Sequence, residues 1–230
     1  MEKPLEKLPH GARLAERLAS SSLSGDPVSG DQGVQLLELL RPTLLKRTLR
    51  LLEEVAQGLN ALEEAGRLRV ADVVGDDAFV DATLQALDVA RKTSDRSKRE
   101  ALRNAVLNAA LKLPPDEAER HVFLDLIDRL SGLHLRILKA FNDPPGWAAS
   151  HRVDYRPVMS SSLEAFLLKA FPELDGRRSL YDHLWSELRT ATLVTTDHLQ
   201  SHMSDQGWLA PRTSEMGRAF LAFIESPIGS

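Results

Sequence analysis

The 230-residue sequence contains no cysteine. That absence excludes disulfides, thiolate nucleophiles, iron–sulfur clusters and thiolate zinc sites together, and leaves His, Asp and Glu as the only metal ligands of consequence. Aromatic residues are scarce, at 5%. Trp147, Trp185 and Trp208 are too few and too scattered for a platform that stacks single-stranded bases, and they read as core or interface anchors. No stretch of about 20 uncharged apolar residues is present, so no bilayer-spanning helix is expected. Near the start, Glu6, Lys7, Arg13, Glu16 and Arg17 interrupt any apolar run of the kind a signal peptide needs. The expected location is the cytoplasm, with no membrane partner. Nor does one sign of charge dominate: 29 Lys and Arg stand against 33 Asp and Glu, a net of −4. A surface for nucleic acid would have to be a local patch.

Recognisable catalytic motifs are missing as well. Gly25 and Gly30 have the spacing of a phosphate-cradling loop, but Asp31 and Gln32 follow where Lys and Ser or Thr would be needed, and an acidic residue there repels phosphate. No Gly-x-Ser-x-Gly elbow exposes a serine nucleophile. The sequence leans away from an enzyme, and no cofactor is expected.

What is abundant is Leu, Ala, Arg and Glu, a helix-forming composition. The fold class read from it is all-α: a helical bundle with a C-terminal winged-helix-like segment. Residues 1–33 read as an N-terminal helix, with Leu5, Leu8, Ala12, Ala15 and Leu18 on one face, followed by a Ser- and Gly-rich linker. Residues 34–142 read as the bundle, 143–159 as a loop and 160–230 as the C-terminal segment. Pro42 is expected at the first turn of a helix that Gly66 closes. Asp76, Ser94, the 114–117 Pro-Pro-Asp-Glu run and Ser131 offer starts for four more. Beyond the 142–147 Asn-Asp-Pro-Pro-Gly-Trp break, Ser161 with Glu164 predicts one helix, Ser179 a second, Thr195 or Thr196 a third reaching Met203, and Thr213 to Glu215 the last.

Three groups of residues are candidates for function. Leu45, Leu52 and Leu59 repeat every seven residues, with Val55 and Leu62 interleaved, so a self-association seam competes with a buried bundle helix. Arg91, Lys92, Arg96, Lys98, Arg99 and Arg103 concentrate positive charge in an acidic chain, a possible contact for phosphate or for an acidic partner, against the plainer reading of a solvated connection. Arg41, Lys46, Arg47 and Arg50 form a second basic cluster. His198 and His202 share a helix face if that segment is helical, but Leu199 stands where a zinc protease needs Glu, so they are weak metal candidates. His121 and His134 fall within apolar helices and read as core or boundary residues.

Three segments resemble the abortive infection alpha (Abi-alpha) proteins of bacteria: Phe79 to Arg91, the charged turn and small residues of 98–110, and Phe123 to Ser131. The end of the chain, Thr213 to Phe223, is similar in carrying a Gly followed shortly by Phe. The resemblance spans Leu44 to Phe223. It implies a helical protein associated with phage defence, and it transfers no functional residue. The function expected is therefore a noncatalytic interaction protein acting through a protein partner or self-association. A DNA-binding regulator using the C-terminal segment is the alternative, disfavoured because His198 to His202 contains no Arg or Lys. A helical enzyme without a recognisable motif is the third class.

Overall fold

The computed structural model describes residues 30–113, 115–153, 161–200, 202–203 and 210–228. The helix expected over residues 5–18 and Trp208 lie outside them. Helix begins inside the expected linker: α1 runs Gly30–Glu64, 35 residues, with Pro42 in its interior rather than in its first turn. The proline removes one backbone donor, and the Leu-rich sequence on either side carries the helix across the gap. Gly66 closes α1 as expected. Its φ of +68° suits glycine, its N–H donates to Glu63 O at 2.9 Å, and Arg67 N–H donates to Leu62 O at 2.9 Å, the paired bonds that terminate a helix on a left-handed residue.

A short α2 (Val70–Val73) leads to α3 (Asp77–Lys92), α4 (Arg96–Ala110), α5 (Glu117–Arg129) and α6 (Gly132–Asn142). Asp76, Asp116 and Ser131 cap α3, α5 and α6, each accepting a backbone N–H three residues on. For α4 the cap is Asp95, not Ser94: its carboxylate accepts Lys98 N–H at 3.0 Å, while Thr93 Oγ1 accepts Asp95 N–H.

The stretch expected as a loop over 143–159 contains a helix in its described part. Helix α7 spans Pro144–His151, because prolines at its first two positions lack donors that would be unsatisfied anyway and Asp143 accepts Gly146 N–H at 3.0 Å. Helix α8 (Leu163–Ala170) is capped by Ser162 rather than Ser161, and α9 (Arg178–Thr190) starts without a side-chain cap rather than at Ser179. The helix expected from Thr195 or Thr196 to Met203 is not formed. Residues 195–200 are irregular, and strand β2 (His202–Met203) pairs antiparallel with β1 (Ser161–Ser162). Val194 bridges Thr213 just before α10 (Glu215–Phe223), which Ser214 caps.

The chain divides into two compact units, Met1–Arg50 and Leu51–Ser230. The residues expected to form the bundle from Leu51 onward and the C-terminal segment thus fall in one unit, and its core is continuous. Phe123 of α5 meets Phe220 and Phe223 of α10 at 5.4 and 5.7 Å, while Phe141 of α6 meets Phe166 of α8 at 5.1 Å and Trp185 of α9 at 4.9 Å. All four of the anchors Phe123, Phe141, Phe166 and Phe220 are fully buried, each contributing about 1.5–3 kcal/mol by leaving water. Two glycines permit backbone approach. A Cβ on Gly58 would stand 2.5 Å from Leu107 Cδ1, and one on Gly217 would stand 2.1 Å from Leu193 O. Gly217 is the glycine of the Gly-then-Phe pattern, so packing accounts for it.

Two buried asparagines of α4 hold the C-terminal helix. Asn104 Nδ2 donates to Ile224 O at 2.9 Å, and Asn108 Nδ2 reaches Phe223 O at 2.7 Å and Glu225 O at 3.0 Å. These carbonyls end α10 and have no partners within it. Among the described residues, no helix is long and apolar enough to cross a membrane.

Candidate functional site

Six leucines of α1, namely Leu36, Leu39, Leu40, Leu45, Leu49 and Leu52, remain between 39% and 56% exposed. Single exposed leucines are ordinary, but six on one helix leave apolar surface on both of its sides, Leu45, Leu49 and Leu52 on one and Leu36, Leu39 and Leu40 on the other by helical spacing. Of the five seam candidates, Leu45 and Leu52 belong to this surface, whereas Val55, Leu59 and Leu62 are buried in the core. The second half of the helix thus packs as a bundle helix. Leu45, Leu49 and Leu52 recur at four and three residues and occupy one side of α1. Lys46, Arg47 and Arg50 fall on the other side by the same spacing, and between Leu36 and Arg50 four basic residues stand against the single acid Glu38.

The basic run around α4 is drawn mostly into contacts within its own unit. Arg91 lies 3.2 Å from Asp88, Lys92 Nζ 2.8 Å from Asp128, and Arg99 Nε 3.1 Å from Glu54. Lys98 Nζ donates to Asp128 O at 2.8 Å near the end of α5, where a cation complements the helix terminus. Burial pulls its pKa below the ordinary lysine value, and the Asp128 carboxylate opposes the shift. Arg103 donates to Asn104 Oδ1, steadying the amide that holds Ile224. Arg96 is exposed at the first position of α4. Of the six cations, Lys98 and Arg99 join α4 to α5 and α1, Lys92 joins α3 to α5, and Arg91 and Arg103 contact residues of their own helices.

Histidine is distributed differently from the expectation. His121, expected at the core or its boundary, is exposed, and its Nδ1 accepts from Gln85 Nε2 at 3.1 Å. His198 is exposed beside a cleft of about 240 Å³ that also involves Asp182, Arg189 and Asp197, and His202 sits in β2, so the two do not share a helix. Among the described residues, no group of three or more His, Asp or Glu is arranged to hold a metal ion.

Sequence reasoning missed two arrangements. In the first, the buried His134 links α6 to α9. Its Nδ1 lies 3.0 Å from the Ser131 N–H and 2.8 Å from Ser131 Oγ, while Nε2 is 2.9 Å from Glu187 Oε2. His183 is 3.7 Å from the other oxygen of that carboxylate. The order serine, histidine, carboxylate resembles a hydrolase triad, but Nδ1 already accepts the Ser131 backbone donor, and a Cβ on Gly132 would lie 2.2 Å from Asp95 Oδ1. A carboxylate that close to the start of α6 opposes an oxyanion. The arrangement is a helix cap with histidine in the return position. Burial lowers the His134 pKa, with Glu187 opposing. The Ser131-to-His134 spacing was visible; Glu187, 53 positions from His134, was not.

The second is a cleft of about 830 Å³ between α3 and α5. Asp76, Asp77, Asp81 and Glu117 line it with Arg120 and His121, and Ala82 and Leu124 supply apolar wall. Asp76 is paired with Lys112 at 2.7 Å, and that hydrogen bond holds its carboxyl below the usual range. The cap signals at Asp76 and Asp116 were legible; that α3 and α5 lie side by side, bringing their acidic starts into one cleft, was not.

A scan against family models returned no match, and neither the curated proteins nor the solved structures gave one.

Proposed function

We propose that this chain is a noncatalytic interaction protein that associates with further copies of itself through the exposed leucines of α1. The observation that carries the reading is the exposure of Leu36, Leu39, Leu40, Leu45, Leu49 and Leu52 on a single helix. Isolated helices are marginal in water and depend on a packed apolar face, so a partner surface accounts for a helix that leaves this much leucine uncovered. A role in bacterial phage defence belongs to the same reading and rests on the Abi-alpha resemblance, while a cytoplasmic setting rests on the charged start of the sequence and its lack of long apolar runs.

The C-terminal segment is read as a winged-helix-like packing module. Its order of strand, α8, α9 and the Val194 to Thr213 bridge supports this, although the recognition helix expected near His198 is not formed and α9 is the helix preceding that irregular segment. Against DNA binding, the α9 cations Arg178 and Arg189 lie 3.5 and 3.2 Å from Asp182 and Asp197. Phosphate contact needs cations that are not already neutralised.

Light scattering over a concentration series tests the proposal. Wild type is expected to exceed the 25.5 kDa of one chain, and Leu45→Glu/Leu49→Glu to remain at that mass with an unchanged melting temperature, because both leucines are exposed. A wild-type chain that is monomeric throughout overturns the reading.

A further inference from the structure

Resting on that reading, we infer that the copies join head to tail: Leu36 and Leu40 of one α1 pack against Leu45 and Leu49 of the next, so that each α1 lies between two neighbours. The helix carries one arrangement twice. Leu36 with Leu40 and Leu45 with Leu49 are each an i, i+4 pair, the spacing that forms a ridge on a helix surface. All four lie in the unit Met1–Arg50 and are between 39% and 56% exposed. The second pair is the first advanced by nine residues. On an α-helix that advance is about two and a half turns, roughly 13.5 Å along the axis and half a turn around it.

Half a turn decides what one partner can cover. A helix meets its neighbour along a stripe about 100° wide, so a partner seated on Leu36 and Leu40 leaves Leu45 and Leu49 in water, and the reverse. A two-fold pair built on either ridge therefore leaves the other ridge of both copies exposed. The area is small as well: the two or three partly exposed leucines of one side fall well short of the roughly 800 Å² that each partner buries in a stable pair. Pairing each ridge with its own kind would require two separate self-complementary contacts, whereas setting one ridge against the other of the next copy requires one. That single contact covers both sides of every interior α1 and leaves a free ridge at each end for a further copy. Contacts of this heterologous kind grow as an open chain unless their rotation closes a ring. Parallel neighbours are each shifted about 13.5 Å along the axis from the one before, and because the shifts add, the chain stays open.

Two chains with one ridge each test this by light scattering. Leu36→Glu/Leu40→Glu keeps the second ridge, and Leu45→Glu/Leu49→Glu keeps the first. Wild type is expected to pass the mass of two chains, at 25.5 kDa each, as concentration rises. Each variant alone is expected to associate at least tenfold more weakly. An equimolar mixture is expected to form a pair that stops at two chains, since the ridges left free in that pair are the substituted ones. Circular dichroism checks that each variant keeps the helix content of wild type. If Leu36→Glu/Leu40→Glu loses helix, Leu36→Gln/Leu40→Gln replaces it with the same outcomes expected, glutamine being a good helix former. A wild type that stops at two chains, a variant that pairs with itself, or a mixture that stays monomeric overturns the head-to-tail contact and leaves self-association standing. A monomeric wild type removes both.

Discussion

Asn108 sits at the densest polar contact of the core, one amide serving the carbonyls of Phe223 and Glu225 at the end of α10. Its replacement by Leu leaves the buried Phe223 carbonyl without this donor, and urea denaturation should show a loss of about 1–3 kcal/mol. Gly217 is constrained by space alone: Gly217→Ala places a methyl 2.1 Å from the Leu193 carbonyl, and an overpacking loss of about 1–3 kcal/mol is expected in the same measurement. His134 couples stability to pH. Burial disfavours its charged form, so the folded chain keeps it neutral below the ordinary value of 6.5 while the unfolded chain takes up a proton. Stability present above that value is lost as pH falls from 6.5 towards the lowered folded value. Glu187 and His183 on α9 and Lys98 on α4 set the size of the shift. His134→Gln keeps a side chain suited to the capping box, and its urea midpoint should change less between pH 7 and 5.5 than that of wild type.

At the scale of elements, what was legible in the sequence was local. Asp76, the 114–117 run, Ser131 and the 213–215 run were read as helix starts because a cap depends on a few neighbouring residues. Where two capping residues adjoin, as at Ser94 with Asp95 or Ser161 with Ser162, the pattern marks the start but not which of the pair takes it. Pro144 and Pro145 concealed α7 because the same residues that break a helix interior open a helix. The β1 and β2 pairing joins residues 40 positions apart, and no local signal carried it. Pro42 yields the test for α1. Removing an interior proline favours the helix by up to about 3 kcal/mol, so Pro42→Ala should slow amide exchange between residues 36 and 50. An unchanged exchange rate would show that the proline does not limit α1.

For the whole molecule, a composition without cysteine and poor in aromatics correctly implied a Leu- and Ala-packed helical protein, but the few aromatics do more than their number suggests. Phe123, Phe141, Phe166, Phe220 and Phe223, with Trp185, join the C-terminal helices to the bundle through contacts that no spacing announces. The leucine repeat was legible as a pattern. Its division into a buried second half and an exposed first half required knowing what lies beside Val55 and Leu62. The net charge of −4 likewise averages over a basic helix and an acidic cleft. Sedimentation equilibrium of the wild-type chain at low ionic strength tests the central claim most directly: the account predicts an average mass that rises with concentration above 25.5 kDa, and a mass fixed at that of one chain over the whole range contradicts it.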